Sequence, residues 1–141
     1  MALELILDTS ALVCLLDRSQ AEHATCVDFF REWTGNVAST EAVLTEATHL
    51  LARVHGGRSA CLEFFLAGGA TLVPSDTAAL RRCSRLIERY GDLPMDRSMD
   101  FGDATLVVLA DELRTDAIFT LDADFDVYRR RDGTPFRRVP A

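Results

Sequence analysis

The hydrophobic pattern of the chain alternates between short continuous runs and helical stripes. Leu3 to Leu7 is apolar at every position except Glu4, which is typical of a strand buried on both faces. After Thr40, apolar residues recur three and four positions apart, which predicts an amphipathic helix. Repeated changes between these two patterns predict an α/β fold with a mainly parallel central sheet covered by helices.

Capping residues and glycines set the predicted boundaries. Asp8-Thr9-Ser10 can cap a helix that runs to about Leu16, and glycine pairs end two later helices. The predicted strands are 3–7, 37–38, 71–73, 117–120 and, at an edge, 136–139. The later predicted helices are 21–33, 40–54, 58–67, 78–90 and 101–114, with a polar loop at 91–99. No repeat or linker interrupts this order, which predicts one domain over residues 1–141.

Length and composition are those of a small globular protein. A chain of 141 residues with 48% apolar residues can form one core but not two. Its apolar runs fall well short of the ~20 residues that span a bilayer, and Met1 to Glu4 lacks the basic start of a signal peptide. We therefore expect a cytoplasmic protein. We also expect its four cysteines to be reduced and buried, since they lack metal-ligand spacing and have apolar neighbours: Cys14, Cys26, Cys61 and Cys83.

The net charge of −7 taken alone argues against a nucleic-acid partner, but the charge is unevenly distributed. Residues 127–141 carry five arginines against one aspartate, and the rest of the chain is strongly acidic. Such a division fits an acidic metal site beside a phosphate-binding surface, and it equally fits a solvated basic tail. The five arginines are Arg129, Arg130, Arg131, Arg137 and Arg138.

Four carboxylates are the candidate functional residues of this α/β pattern. Asp8 and Asp122 follow predicted strands, and ligand sites in open α/β sheets lie at the carboxyl ends of strands. Glu46 borders the apolar stripe of its helix, and Asp103 opens a very apolar helix. Clustered carboxylates repel each other and tend to protonate, whereas Mg²⁺ or Mn²⁺ relieves this conflict. The first hypothesis is therefore a metal-dependent phosphodiesterase.

Two of these acids have simpler interpretations. Asp103 lies in the first turn of its helix, where a negative charge complements the helix dipole. Glu46 is compatible with an ordinary exposed position. Without a partner, however, a buried Asp103 would cost several kcal/mol.

Other metal and catalytic sites are not supported. The run Asp122 to Asp126 resembles the start of a calcium loop, but the sixth position is Val127 and the twelfth is Gly133. The three histidines lack zinc spacing, and there is no phosphate-binding glycine loop or glycine-flanked nucleophilic serine. A haloacid-dehalogenase-type phosphatase would need a second aspartate where Ser10 stands.

The arrangement of these acids along the chain resembles that of the PIN-domain ribonucleases. The resemblance covers almost the whole chain and rests on four acidic segments in order: Leu5 to Leu12, Ala42 to Ala47, Phe101 to Ala104 and Phe119 to Phe125. The length is similar to that of the VapC-type toxins of bacterial toxin–antitoxin pairs.

The resemblance implies a three-layer α/β/α domain with Mg²⁺- or Mn²⁺-dependent endoribonuclease activity. It also implies a homodimer that a small antitoxin inhibits. Carried over by position, the metal-site acids are Asp8, Glu46, Asp103 and Asp122, with Asp124 as a further candidate ligand. Ser10 and Thr120 would be hydroxyl helpers, and Asp100 a supporting acid. The alternative is a non-catalytic module of the same fold that binds RNA or a protein, using its acids for a partner's arginines.

Two other groups are candidates for RNA contact. Arg81, Arg82, Arg85 and Arg89 share one face of the predicted helix 78–90, where they could bind phosphates or face solvent. Trp33, Phe29 and Phe30 could stack on bases. Their helical spacing favours a place in the core or at a dimer interface.

Overall fold

Five parallel strands form the centre of the protein. The structure is a computed structural model and describes residues 3–91 and 98–141. All five predicted strands are found, with boundaries that differ by at most one residue at either end. They are β1 (Glu4–Leu7), β2 (Asn36–Ser39), β3 (Thr71–Leu72), β4 (Ala117–Phe119) and β5 (Arg137–Val139).

The strand order is β3-β2-β1-β4-β5. From β1 the chain builds outward to β2 and β3, then returns to place β4 on the other side of β1. The order therefore reverses between β1 and β4, and in open parallel sheets the crevice at such a reversal is where ligands bind. Asp8 follows β1 directly, and Thr120 to Asp122 follow β4.

Six α-helices connect the strands of the described chain. They are α1 (Thr9–Leu16), α2 (His23–Glu32), α3 (Glu41–Leu50), α4 (Gly57–Leu66), α5 (Thr77–Arg89) and α6 (Phe101–Glu112). α1 packs on α2 and α3, while α5 packs on α6. Because Leu5, Ile6 and Leu7 of β1 are fully buried, helices must cover both faces of the sheet. This is the expected three-layer α/β/α arrangement.

The predicted helix 40–54 is wrong at its carboxyl end. α3 stops at Leu50 and continues as a 3-10 turn, Leu51–Arg53. The chain then turns at Gly56, which has a φ of +70°, and packs Gly57 against Leu51. A Cβ atom at Gly57 would lie 2.3 Å from the Leu51 carbonyl oxygen, so this tight turn requires glycine.

Two leucines, on α3 and α5, are substantially exposed. Leu50 is 39% exposed at the end of α3, and Leu80 is 47% exposed on α5. Of the predicted polar loop 91–99, residues 92–97 lie outside the described residues.

The core lies on both faces of β1 and along α6, where every residue from Ala104 to Ala110 is buried. The four cysteines are buried free thiols, as expected. None of the helices in the described ranges is both long and apolar enough to cross a membrane.

Candidate metal centre

A cleft of about 760 Å³ opens at the carboxyl ends of β1 and β4. α3 and the amino terminus of α6 contribute to its walls. The structure brings all four predicted acids to this cleft, together with the two supporting candidates. Its carboxylates are Asp8, Glu46, Asp100, Asp103, Asp122 and Asp124.

Asp8 is fixed where β1 passes into α1. Its side chain is buried, and its Oδ2 accepts a hydrogen bond of 2.6 Å from the Thr120 hydroxyl and one of 3.1 Å from the Ser10 hydroxyl. The same two hydroxyl oxygens also accept hydrogen bonds from the loop that follows β4, here called the Asp122 loop. The amide of Leu121 donates to Ser10, and the amide of Asp122 donates to Thr120. Ser10 and Thr120 therefore connect Asp8 to the Asp122 loop.

Asp103 is held by its own helix and by a distant aromatic residue. Asp100 is the N-cap of α6, and its carboxylate accepts from the Asp103 amide at 2.8 Å. The hydroxyl of Tyr128 donates to Asp103 Oδ2 at 2.8 Å. Tyr128 is fully buried, and its ring packs edge-on against Tyr90 and Phe125. This packing fixes the direction from which the hydroxyl reaches Asp103.

The Asp122 loop brings three carboxylates within ligand distance. Asp122 caps a 3-10 turn, Ala123–Asp126, by accepting from the Asp124 amide at 2.9 Å. One carboxylate oxygen each from Asp103, Asp122 and Asp124 all lie within 4.8 Å of one another, a set that could hold a metal ion. Asp8 and Glu46 line the same cleft but lie outside this set.

Burial and nearby negative charges raise the pKa values of three carboxylates in this cleft. Burial raises the pKa of Asp8 to about 6, although hydrogen bonds from Thr120 and Ser10 oppose the rise. Burial and the nearby charge of Asp100 raise the pKa of Asp103 to about 8. Glu46 lies on the exposed side of α3, yet partial desolvation and the charges of Asp100, Asp8 and Asp122 still raise its pKa. The cleft therefore favours bound cations.

Some arginines of α5 and of residues 127–141, here called the basic segment, form hydrogen bonds or ion pairs within the protein. The guanidinium of Arg82 donates to Asp111 at 2.8 Å, near the carboxyl end of α6. Tyr90, next to α5's carboxyl end, packs against Tyr128 and thereby lies on Asp103's side of the molecule. No arginine of the α5 row is among the described residues that line the acidic cleft, and the guanidinium of Arg89 lies over the ring of Tyr90.

The basic segment is not a solvated tail. Arg138 forms two hydrogen bonds with Asp126, at 2.9 and 3.0 Å, and Arg129 donates to three backbone carbonyls. Arg130 lies 3.7 Å from Asp111, and Arg137 lies 3.6 Å from Asp116. These contacts join the segment to β4, α6 and the Asp122 loop.

The aromatic residues at the carboxyl end of α2 are not among the described residues that line the acidic cleft. The ring of Phe29 is 4.9 Å from that of Phe119, and the Phe30 ring is 5.6 Å from that of Phe64. Trp33 and Phe30 line a groove beside Asn36, where β2 begins, so they lie towards the amino ends of the strands. Packing in and around the core, rather than base stacking in the acidic cleft, is their observed role.

Sequence reasoning did not find Tyr128 or Arg53. Tyr128 stands 25 residues from Asp103 in a segment with no recognisable pattern, so only the folded chain brings the two together. Arg53 lines the cleft from the 3-10 turn that follows α3, where a continuous helix was predicted.

The sequence profile of the PIN domain matches residues 5–131, which include every acid of the cleft. The chain belongs to the PIN domain family. Ribonuclease VapC26 of Mycobacterium tuberculosis is 31% identical over 139 residues, which cover 96% of this chain and all of that protein.

Two solved structures share the PIN fold. The Mycobacterium tuberculosis toxin VapC20, described as cleaving the sarcin–ricin loop, has a TM-score of 0.77 at 20% identity, covering 87% of this chain and 93% of that one. VapBC2 of Rickettsia felis, bound to a promoter DNA fragment, has a TM-score of 0.64 at 13% identity. That match covers 96% of this chain and 98% of the other.

Proposed function

We propose that this PIN-domain protein is an endoribonuclease that depends on Mg²⁺ or Mn²⁺ and acts as the toxin of a toxin–antitoxin pair. The observation that carries the proposal is the convergence of Asp103, Asp122 and Asp124 within 4.8 Å in a cleft that Asp8 and Glu46 also line. Family membership and the ribonuclease relative support the same chemistry.

The donor set fits a hard divalent cation. The acidic ligands offer only oxygen atoms, and among the described residues the cleft lining contains no cysteine or histidine. Asp103, Asp122 and Asp124 would hold the ion, with Asp8 and Glu46 as the remaining ligands. When bound, the metal supplies activation of water and stabilisation of negative charge on the phosphate.

The chain's own contribution is to position the acids. Thr120 and Ser10 orient Asp8, Tyr128 orients Asp103, and the N-cap at Asp100 fixes the start of α6. The Ser10 hydroxyl is engaged with Asp8 and with the Leu121 amide, so it is a structural group rather than a nucleophile. We therefore propose direct hydrolysis without a covalent enzyme intermediate.

The proposed partners follow from the relatives. VapC26 is a ribonuclease, VapC20 is a toxin, and VapBC2 is a toxin–antitoxin complex. We propose that this chain likewise acts on RNA in the cytoplasm, forms a homodimer and is inhibited by a small antitoxin. An acidic cleft is a natural target for an antitoxin arginine, because a guanidinium binds a carboxylate through two parallel hydrogen bonds.

RNA cleavage by purified protein tests the proposal. Wild-type protein should cleave RNA with Mg²⁺ or Mn²⁺ and lose this activity in excess EDTA. Asp8→Asn, Glu46→Gln, Asp103→Asn and Asp122→Asn should each remove most of the activity while the circular dichroism spectrum stays unchanged. Asp28→Asn, which neutralises an exposed acid on α2, is the matched control.

Cellular toxicity separates a nuclease from a non-catalytic module. Expression of the wild-type chain should arrest growth, and expression of Asp103→Asn at the same level should not. Equal toxicity of the two proteins, or full cleavage in EDTA, would instead support the binding module.

A further inference from the structure

A cationic side chain, Arg53, lines the acidic cleft. Among the described residues that line it, Arg53 is the only cation beside six carboxylates. Arg53 ends the 3-10 turn after α3, and its side chain is 61% exposed. A polyanion that enters this cleft therefore meets a guanidinium beside the carboxylates.

A buried acid holds Arg53 in place. Asp17 lies just beyond α1 with its side chain 5% exposed, and its Oδ2 accepts from Arg53 Nη2 at 3.3 Å. Asp17 also accepts from the Ser19 hydroxyl at 2.6 Å and from the Gln20 side chain at 3.2 Å. These contacts, led by the Ser19 hydroxyl, lower the pKa of Asp17 to about 2, so it is charged at neutral pH.

The contact uses only part of the guanidinium. Nη2 is bonded to Asp17, and the other nitrogen donors of Arg53 have no acceptor within the described chain. Gln20, held by the same carboxylate, also lines the cleft. Arg53 is the exposed member of this pair, so its guanidinium stays accessible to a ligand in the cleft.

Arg53 is offset from the carboxylates along one wall. Glu46 lies on α3 seven positions earlier, which corresponds to about 10 Å along the helix axis. A phosphate bound at this guanidinium would therefore lie beside the acids rather than among them.

We propose that Arg53, held by Asp17 and flanked by Gln20, binds a backbone phosphate of the RNA strand adjacent to the phosphodiester that is cleaved. The inference rests on the proposed ribonuclease function and names a substrate contact for it. Arg53 is a substrate-binding residue, and Asp17 is a positioning residue that acts through it.

The affinity of a catalytically inactive variant for RNA tests the proposed contact between Arg53 and the phosphate. The probe is a fluorescent single-stranded RNA oligonucleotide of mixed sequence, titrated with Asp103→Asn protein at several salt concentrations. Adding Arg53→Ala should weaken binding about tenfold, as expected for a lost charged hydrogen bond, and should lower the slope of log K against log salt by about 0.7. Arg53→Lys should keep the slope and recover part of the affinity.

A matched charge removal provides the control. Arg31 is exposed near the end of α2, beside the strands' amino ends, so Arg31→Ala should leave affinity and slope unchanged. If Arg53→Ala has no larger effect than Arg31→Ala, or if the RNA does not bind the parent protein, the inference is wrong.

Cleavage kinetics separate this inference from the proposed function. In otherwise wild-type protein, Arg53→Ala should raise KM about tenfold with little change in kcat, because it removes binding common to ground and transition states. Asp17→Asn should raise KM less and should have no further effect in the Arg53→Ala background. Absence of cleavage by the wild type contradicts the ribonuclease proposal, whereas unchanged KM in active Arg53→Ala protein contradicts only the role of Arg53.

Discussion

The hydroxyl of Tyr128 donates a 2.8 Å hydrogen bond to Asp103 Oδ2. Tyr128 is fully buried, while Asp103 faces the cleft, so the bond joins the core to the candidate metal centre. A partner of this kind sets the orientation of a ligand before any metal binds. Loss of such a partner typically reduces metal affinity or activity about 10- to 100-fold.

The Tyr128→Phe variant tests this relationship. It keeps the ring packing but frees Asp103 Oδ2, so Mn²⁺ affinity measured by calorimetry should fall at least about tenfold. Tyr90→Phe is the matched control, because its hydroxyl accepts from the Arg129 amide and its ring packs against Tyr128. Equal Mn²⁺ affinities in the two variants would show that the hydrogen bond does not position Asp103.

Metal binding should depend strongly on pH. Because the pKa is about 8 at Asp103 and about 6 at Asp8, a metal must displace protons below those values. Mn²⁺ affinity should therefore rise from pH 6 to pH 8 by about tenfold per unit and then level off. Titrations in buffers of different ionisation enthalpy would count the released protons. Asp103→Asn should flatten the rise, and a flat wild-type profile would contradict the expectation.

The stability of the metal-free protein should change in the opposite direction. Both carboxyl groups have higher pKa values in the folded state than the ordinary value of about 4, so the folded protein binds more protons than the unfolded chain. Its free energy of unfolding should fall as pH rises from about 4 to about 8. Denaturant unfolding in EDTA measures this fall, and excess Mn²⁺ should reverse it through binding to the folded state. A metal-free protein that gains stability over this range would refute the raised pKa values.

Thr120 should matter for both stability and activity. Its hydroxyl donates to Asp8 and accepts from the Asp122 amide, so Thr120→Val leaves a buried donor unpaired and should cost about 1–3 kcal/mol of stability. The same change should reduce RNA cleavage, whereas Thr120→Ser should restore most of it.

Thr115→Val is a closely matched control for Thr120→Val. The Thr115 hydroxyl donates to the Glu4 backbone carbonyl and accepts from the Ala117 amide, so it likewise makes two hydrogen bonds, at the other end of the sheet. It should lose similar stability in denaturant unfolding and retain cleavage activity. Equal losses of activity in both variants would show that Thr120 contributes to stability only and does not position Asp8.

The arginine row of α5 should contribute to RNA binding through its carboxyl-terminal half. An Arg85→Ala, Arg89→Ala double variant in the Asp103→Asn background should weaken RNA binding and lower the salt slope by about 1.4. Arg82→Ala should instead lower stability, because it leaves Asp111 without its 2.8 Å partner. An unchanged slope in the double variant would assign the row to solvent or to a protein interface.

Local sequence patterns predicted most of the fold because they depend on near neighbours. Apolar runs located β1 and β4, and the acids that follow these strands could be placed at one edge of a parallel sheet. The bond between Tyr128 and Asp103 joins segments 25 residues apart and leaves no periodic signal. The position of Arg53 depends on a turn that requires close packing of Gly57 against Leu51. Both features are consequences of tertiary packing, which a pattern of single residues does not specify.

The hydrogen bond between Asp8 and Thr120 spans 112 residues of the chain. During synthesis, Asp8 and Glu46 leave the ribosome long before the segment that carries Asp103, Asp122 and Asp124. For a ribonuclease, this order means that the nascent chain lacks a complete set of metal ligands while most of it is being translated. Under the proposed function, the ribosome and its messenger RNA do not meet a complete set of metal ligands until the segment that carries Asp103, Asp122 and Asp124 has been synthesised.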